Sequence, residues 1–446
     1  REDYDRPSYL TGLFFHNVAR RWPTVPVYDD NGYLTEPSEL IQLEDGGRQI
    51  NQKDLFTQQL QLTFEPIKNW KIYVEGSLRV TANNQHWEVL PVYQHDVDGN
   101  PVGMTWDAGV GSYPVGGSKV SEYAYKENYY STNIYSDYFK QLDNGHYFKA
   151  MVGFNAELYK DRSVSADKST LITPSVPTIN TAVGEPSVAG GYRHTSVAGF
   201  FARLNWNYKD RYMLEANGRY DGSSRFIGDK RWGFFPGVSA GWIFGQENFI
   251  KEAIPFLSFG KLRASYGVNG NASGIGAYTL QGSYNTAVYN GNTGFLIGTL
   301  PNPGLRWEKT KTAEVGMDLS FFENRLNANF TYYNRLTSDK YAAFSLPSTT
   351  GFSSITNNNG KFRNSGVEIE LSGKILKTKD WSWEASANIS FNKNKVVALP
   401  DNGLELNRQG GQQIYTGEKF TNEKGEIEYA KKWVGGYQEG KEPGVM

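Results

Sequence analysis

The chain has 446 residues, with 46 Lys and Arg against 47 Asp and Glu, a formal net charge of −1 and no cysteine. Near-neutral charge lacks the electrostatic footprint of a nucleic-acid binder, and the absence of Cys excludes disulfide frameworks, thiolate metal sites and cysteine nucleophiles. Apolar residues make up 39% and aromatics 15%, with 48 Gly. That balance is poor for a water-soluble core and suits a membrane-spanning β-barrel, where alternate strand residues meet lipid and aromatic girdles mark both interfaces.

No run of about 18 apolar residues offers a spanning helix. The chain begins Arg1-Glu2-Asp3 and ends Gly444-Val445-Met446, which reads as an internal piece of a longer protein. Residues 1–54 form a loop and strand region without a sharp pattern. From there, period-two alternation predicts about twelve strands, near 55–64, 70–80, 128–141, 145–159, 196–208, 212–220, 233–244, 258–268, 312–321, 326–336, 366–375 and 381–392. Early in the chain, Trp70, Ile72, Val74, Leu78 and Val80 alternate with Lys71, Glu75, Ser77 and Arg79. Later, Val315, Leu319, Val367, Ile369, Leu371, Trp383, Ala385, Ala387 and Ile389 are expected to face lipid, and Asp318, Glu368, Glu370, Glu384 and Asn388 a lumen.

The connections alternate in length. Short turns fall at 65–69, 142–144, 209–211, 322–325 and 376–380, with a medium one at 245–257; long loops fall at 81–127, 160–195, 221–232, 269–311 and 337–365. This asymmetry predicts an all-β fold, a transmembrane antiparallel β-barrel with short periplasmic turns and long extracellular loops. Barrel hairpins would occupy 55–392 and an extracellular loop 393–446. The aromatics Phe64 and Trp70, Tyr208 and Tyr212, Phe321 and Phe322, and Trp381 and Trp383 flank short turns and read as a periplasmic aromatic belt.

Candidate chemistry is sparse. Gly237-Val238-Ser239-Ala240-Gly241 matches the nucleophile-elbow pattern, but that motif needs a strand-to-helix turn and a downstream His. All 5 His precede Ser239, which sits inside an alternating strand. Asp96, Asp98, Gly99 and Asn100 resemble the first half of a calcium loop, whose closing acid would be Asp107 rather than Glu; a polar turn explains them as well. Glu368 and Glu370 share one strand face; glycosidase carboxyls must converge across a cleft, which a sequence does not display, and lumen-facing charges are ordinary in barrels. His spacing gives no zinc motif. The sequence therefore predicts no enzyme, no cofactor and no metal. Aromatics in the long loops, Trp87, Tyr93, Trp106, Tyr113, Tyr284 and Tyr289, are candidates to stack on sugar C–H faces, with loop packing an equal alternative for each.

Several blocks carry a family resemblance. They are Arg203-Leu204-Asn205-Trp206-Asn207-Tyr208-Lys209-Asp210-Arg211-Tyr212, Asp221-Gly222-Ser223-Ser224-Arg225-Phe226, Arg231-Trp232-Gly233-Phe234-Phe235-Pro236-Gly237, Tyr266-Gly267-Val268-Asn269-Gly270-Asn271, Asn302-Pro303-Gly304-Leu305-Arg306-Trp307-Glu308 and Asn364-Ser365-Gly366-Val367-Glu368-Ile369. In this order and spacing, residues 198–371 resemble the SusC/RagA family of TonB-dependent outer-membrane transporters of Bacteroidetes-type bacteria. The resemblance implies a barrel of about 22 strands, of which this chain holds a middle part, plugged by an N-terminal domain. It implies contact with TonB through a missing N-terminal region, a SusD-like surface lipoprotein at the extracellular mouth, and glycan oligosaccharides or peptides as substrate. Plug and TonB segment are not in the chain, so no gating residue carries over. A siderophore or cobalamin receptor and a passive porin-like barrel are the alternatives. Arg219, Arg225 and Arg231 alternate with Asp221 and Asp229 and are expected to form an ion-pair cluster.

Overall fold

Alternating sequence becomes strand, and most strands are longer than the alternation alone suggests. The computed structural model describes residues 2–5, 24, 26–34, 41, 44–96, 98–103, 117–399, 412–421 and 427–434. Its strands are β1 (Glu2–Asp5), β2 (Gln49–Ile67), β3 (Trp70–Val89), β4 (Tyr93–His95), β5 (Pro101–Gly103), β6 (Lys119–Gln141), β7 (His146–Ser169), β8 (Ser187–Tyr208) and β9 (Tyr212–Ser223). They continue with β10 (Trp232–Trp242), β11 (Leu257–Asn271), β12 (Ser283–Tyr289), β13 (Asn292–Thr299), β14 (Glu308–Phe321), β15 (Leu326–Ser345), β16 (Ser354–Lys377), β17 (Ser382–Ala398), β18 (Gln412–Thr421) and β19 (Ile427–Val434). A short helix, α1 (Asn248–Ala253), lies in the connection between β10 and β11.

One 13-stranded sheet runs in the order β1-β2-β3-β6-β7-β8-β9-β10-β11-β14-β15-β16-β17. Successive long strands are therefore neighbours, and from β8 to β17 every pairing is antiparallel. These are the twelve predicted strands with the four-residue β1 at one side. The pairs β4-β5, β12-β13 and β18-β19 are separate two-stranded hairpins. The chain divides into two compact units, residues 1–60, 76–131 and 158–194, and residues 61–75, 132–157 and 195–446.

Most strand ends reach beyond expectation, whereas β10 stops at Trp242, short of the expected 244. β16 has 24 residues and begins at Ser354, where apolar alternation pointed to 366. Its added stretch includes Asn357, Asn358 and Asn359, which carry no apolar signal. Backbone N–H and C=O groups continue to pair regardless of side chain, so hairpins extend and loops shrink. The loop expected at 337–365 closes to 346–353, and that at 160–195 to 170–186.

In the second unit, register sorts side chains by face. Ile369 lies opposite Phe330 on one side and Ile389 on the other, and Val315 lies opposite Ala264 and Tyr332. Val315, Leu371, Trp383 and Ile389 remain about half exposed, at 49%, 47%, 59% and 50%. The alternate positions put Glu370 between Asn329 and Asn388, and Asp318 between Lys261 and Asn329. One face is thus apolar and uncovered, more so than a water-soluble monomer tolerates, and the other is polar.

A buried apolar cluster forms where the connections that follow β9, β11 and β13 meet strands β10, β11 and β15. Phe226, Phe235, Ala272, Ile275, Leu280, Leu305 and Trp307 form it, with Ile227, Val268 and Tyr341 packed against them. At the opposite, short-turn end, Lys209 and Asp210 both adopt positive φ, 52° and 54°. That geometry matches the twist of the flanking strands, and Asp210 accepts from Asn207 Nδ2 at 2.6 Å.

Candidate functional site

The polar face of the second unit is organised around Arg263 on β11. Its cross-strand partner on β14 is Gly316, and a Cβ there would collide with the guanidinium. The space left by that glycine lets one Arg reach three partners: Nη1 donates to Glu314, Nε to Asp318 at 3.4 Å and Nη2 to the Thr331 hydroxyl. Nearby, Glu215 accepts from Asn205 at 2.6 Å and Asn217 at 3.1 Å, with Arg203 at 3.7 Å. A concavity of about 430 Å³ is lined by Asn205, Glu215, Ser239, Lys261, Arg263 and Glu314 among others. Ser239 lies within β10, opposite Glu215 and Ser265. It occupies no strand-to-helix turn and has no His beside it in the register, so the elbow motif is strand sequence. The wall offers hydrogen bonds and balanced charge to a polar solute, and no poised nucleophile.

The first unit carries a similar polar network. Glu127 takes Arg79 Nη2 at 3.2 Å and the Tyr125 hydroxyl at 3.0 Å, Arg193 holds Asp161 at 2.8 Å, and the Tyr129 and Tyr159 rings lie 4.5 Å apart.

Three of the sequence blocks named above meet in the apolar cluster. Phe226 comes from one block, Phe235 from the next, and Leu305 and Trp307 from another. Hydrogen bonds close the cluster: Arg225 Nη1 donates to the Ile275 carbonyl, Arg231 Nε to the Phe226 carbonyl at 3.2 Å, and Tyr341 to the Asn271 carbonyl at 3.0 Å. This corrects the expected ion-pair cluster. Arg219 pairs with Asp221 at 2.9 Å and Asp229 with Lys230 at 2.7 Å, whereas Arg225 and Arg231 cap loop carbonyls, which need donors once they leave the sheet ladder.

Rings gather at the short-turn end of the second unit. His146 stacks on Tyr208 at 4.4 Å, Tyr208 lies 6.3 Å from Tyr212, Tyr212 lies 6.5 Å from Trp242, and Phe256 approaches Phe322 at 5.7 Å. Glu247 ties the group together. It accepts from the Tyr212 hydroxyl at 2.7 Å, Arg211 Nη1 at 3.1 Å and Trp242 Nε1 at 3.3 Å. The Tyr212 hydrogen bond, then that of Trp242 and the Arg211 charge, hold its carboxyl below the ordinary carboxylate value.

The candidate loop aromatics scatter. Trp87 is not in a loop: it lies in β3, its indole Nε1 without a hydrogen-bond partner among the described residues and the Lys119 ammonium 6.0 Å from its ring. Tyr93 opens β4 and lines a cleft of about 580 Å³ with Glu44, Asp45, Arg48 and Glu88. Tyr284 and Tyr289 sit on the β12-β13 hairpin, 72% and 82% exposed. Trp106 and Tyr113 lie outside the described residues, as does Asp107. The hairpin was missed in the sequence, although Asn290 and Gly291, with φ of 47° and 78°, form the Asn-Gly turn that is the strongest local hairpin signal. Asp96 accepts from the backbone N–H of Asp98 at 3.0 Å and of Asn100 at 2.8 Å. The Asn100 backbone bond, with the Asn100 side chain, holds its carboxyl low, so a polar turn accounts for this acid. Among the described residues no group of three or more His, Cys, Asp and Glu is placed to hold a metal ion. No helix there is long and apolar enough to cross a membrane.

Comparison with known proteins gives a consistent result. The family model described as TonB dependent receptor-like, beta-barrel matches residues 1–434. TonB-dependent receptor P39 of Formosa agariphila is 38% identical over 229 residues, 51% of this chain and 22% of the relative. TonB-dependent receptor SusC of Bacteroides thetaiotaomicron is 32% identical over 304 residues, 63% of this chain and 30% of the relative. The chain thus spans about a quarter of the length of these curated relatives. Among solved structures, the RagAB peptide importer in its open-open state superposes with a TM-score of 0.71 at 23% identity, over 94% of this chain and 43% of that one; at that identity the likeness is one of fold.

Proposed function

Since the chain belongs to the TonB dependent receptor-like β-barrel family, we propose that it is the wall of an outer-membrane importer for glycan oligosaccharides or oligopeptides. In this reading the solute crosses unchanged and no reaction is catalysed. TonB supplies the work through an N-terminal plug, and a SusD-like surface lipoprotein meets the extracellular loops. The resemblance to the SusC/RagA family supports both solute classes, and the RagAB peptide importer shares the fold.

The observation that carries the reading is the division of the sheet. An uncovered apolar face with rings at the turn end suits lipid, and a polar face with Arg263, Glu314, Asp318, Glu215 and Lys261 suits a wet lumen that a polar solute traverses. The test is growth and uptake in a host with the gene deleted, supplied with defined oligosaccharides, oligopeptides or a ferric siderophore as the limiting nutrient. Loss of TonB-dependent uptake of an oligosaccharide or peptide is expected. Loss confined to the siderophore, or uptake that persists without TonB, overturns the proposal.

A further inference from the structure

Strand register separates the charges of β14 to β17 by sign. On the face that carries Val315, Phe330, Ile369 and Ile389, the side chains run from the short turns as an apolar series and end in bases. These are Lys309 and Lys311 on β14, Arg363 on β16, and Lys393 and Lys395 on β17. Over residues 309–321, 326–337, 363–373 and 383–395 this face carries no acid. The acids of those stretches, Glu314, Asp318, Glu368, Glu370 and Glu384, all lie on the other face. A surface shaped only for solubility intersperses both signs. The bases are also set side by side. Arg363 lies directly opposite Lys395, and Leu336 alone separates it from Lys311 in the same row. Like charges directly opposite one another on paired strands are destabilising. Lys311, Arg363 and Lys395 are exposed, and their side chains make no hydrogen bond or ion pair among the described residues, so nothing described there offsets the repulsion.

The height of the cluster identifies what it meets. Trp383 flanks the short turn before β17, and Lys395 lies 12 residues farther along that strand. On β14 the same 12 residues separate Phe321 from Lys309. At about 3.4 Å per residue that is about 40 Å of strand. Tilted by about 40°, it climbs roughly 30 Å, the thickness of the hydrocarbon core. The bases therefore stand on the lipid side at the level of the outer headgroups, where a charge on the barrel exterior is tolerated, and none stands at mid-membrane, where it is costly. Below Lys311 on the same face come Ala313 and Val315, which with Ala264, Tyr266, Val238 and Tyr332 line an apolar hollow of about 330 Å³. An occupant of this place has an anionic head and an apolar tail. Guanidinium grips phosphate through paired hydrogen bonds and ammonium holds it as a point charge. We propose that Lys311, Arg363 and Lys395 form a docking site for the phosphorylated headgroup of an outer-leaflet lipid, one acyl chain of which lies in the hollow below. The site faces away from the lumen, so it stands whichever solute is imported.

Native mass spectrometry of the purified, detergent-solubilised receptor containing this chain tests it. Monophosphoryl lipid A and dioleoyl phosphatidate each bear a phosphomonoester on acyl chains. Dioleoyl phosphatidylcholine balances its phosphate with choline, and inorganic phosphate has no chains. At least one of the first two should bind, and neither of the others should displace it at equal concentration. Lys311→Gln, Arg363→Gln and Lys395→Gln should each weaken binding about fivefold, and the triple variant on the order of a hundredfold. Lys251→Gln, Lys377→Gln and Lys379→Gln together remove the same charge at the turn end and should leave binding unchanged. Heat-dependent electrophoretic mobility shows which variants fold. Lys311→Arg with Lys395→Arg keeps the charge and should keep the lipid, and the three single variants carry the test where the triple one does not fold. No binding of either phosphomonoester, binding indifferent to the Gln variants, equal loss in the turn-end variant, or displacement by phosphatidylcholine or inorganic phosphate overturns the site. A triple variant that keeps the lipid and loses a co-purified protein makes the patch a protein interface and overturns it as well.

Discussion

The indole Nε1 of Trp307 donates to the backbone carbonyl of Arg231, 2.9 Å away and 76 residues distant in sequence. Trp307 is 7% exposed and lies 5.3 Å from the rings of both Phe226 and Phe235, so one side chain joins two connections and strand β10. Trp307→Phe keeps most of the apolar contact and orphans the carbonyl, which costs about 1–3 kcal/mol. Trp307→Ala also empties the cluster, at about 3–5 kcal/mol. The expected readout is proteolysis of the receptor in its membrane. Cleavage within 272–307 should accelerate slightly in the first variant and strongly in the second. Equal protection of wild type and Trp307→Ala would show that something else holds these loops.

The lipid-facing row through Phe330, Ile369 and Ile389 should not tolerate charge. Ile369→Lys near mid-membrane is expected to cost about 2–4 kcal/mol. Ser372→Lys, on the opposite face beside Asn327 and Ser386, should cost little. Folding titrations into lipid vesicles measure both, and equal losses would reverse the assignment of faces.

Arg263 and Gly316 form one device. Gly316→Ala should displace the guanidinium, and Arg263→Met should leave Glu314 and Asp318 without their cation. Each is expected to destabilise by about 1–3 kcal/mol. Because both remove the same contacts, the double variant should be no worse than the weaker single one. Full additivity in vesicle folding would mean that the two residues act separately.

Glu247 predicts a pH dependence at the turn end. Its partners lower the carboxyl pKa in the folded protein. The carboxylate therefore contributes stability that is fully present above its unfolded pKa and is lost as pH falls through the folded one. Wild type should exceed Glu247→Gln in thermal stability at neutral pH, and the gap should close on acidification. A gap that persists or widens below the carboxylate range would assign the effect to packing.

Strand existence, order and face were legible because alternation has a period of two and one face is apolar. Where that contrast fades the reading failed: the Asn-rich start of β16 belongs to the sheet through backbone pairing that no side chain announces. The roles of Arg225 and Arg231 were misread because spacing favoured the nearby acids, whereas chain tracing delivered loop carbonyls from Phe226 and Ile275. Of the candidate aromatics, Tyr93 lines a cleft, but its companions Glu44, Asp45, Arg48 and Pro174 come from segments far apart in sequence. Only the folded chain shows that they meet.

The length of the strands has a consequence for how a solute is met. A 24-residue strand such as β16 is about 80 Å long at the usual rise per residue. Tilted by about 40°, it climbs roughly 60 Å, against a hydrocarbon core of about 30 Å. Much of such a strand therefore stands in water, clear of the lipid. A molecule arriving from outside would be sampled against a rigid, pleated palisade well above the bilayer. Cargo could thus be sorted at a height where membrane thickness exerts no influence.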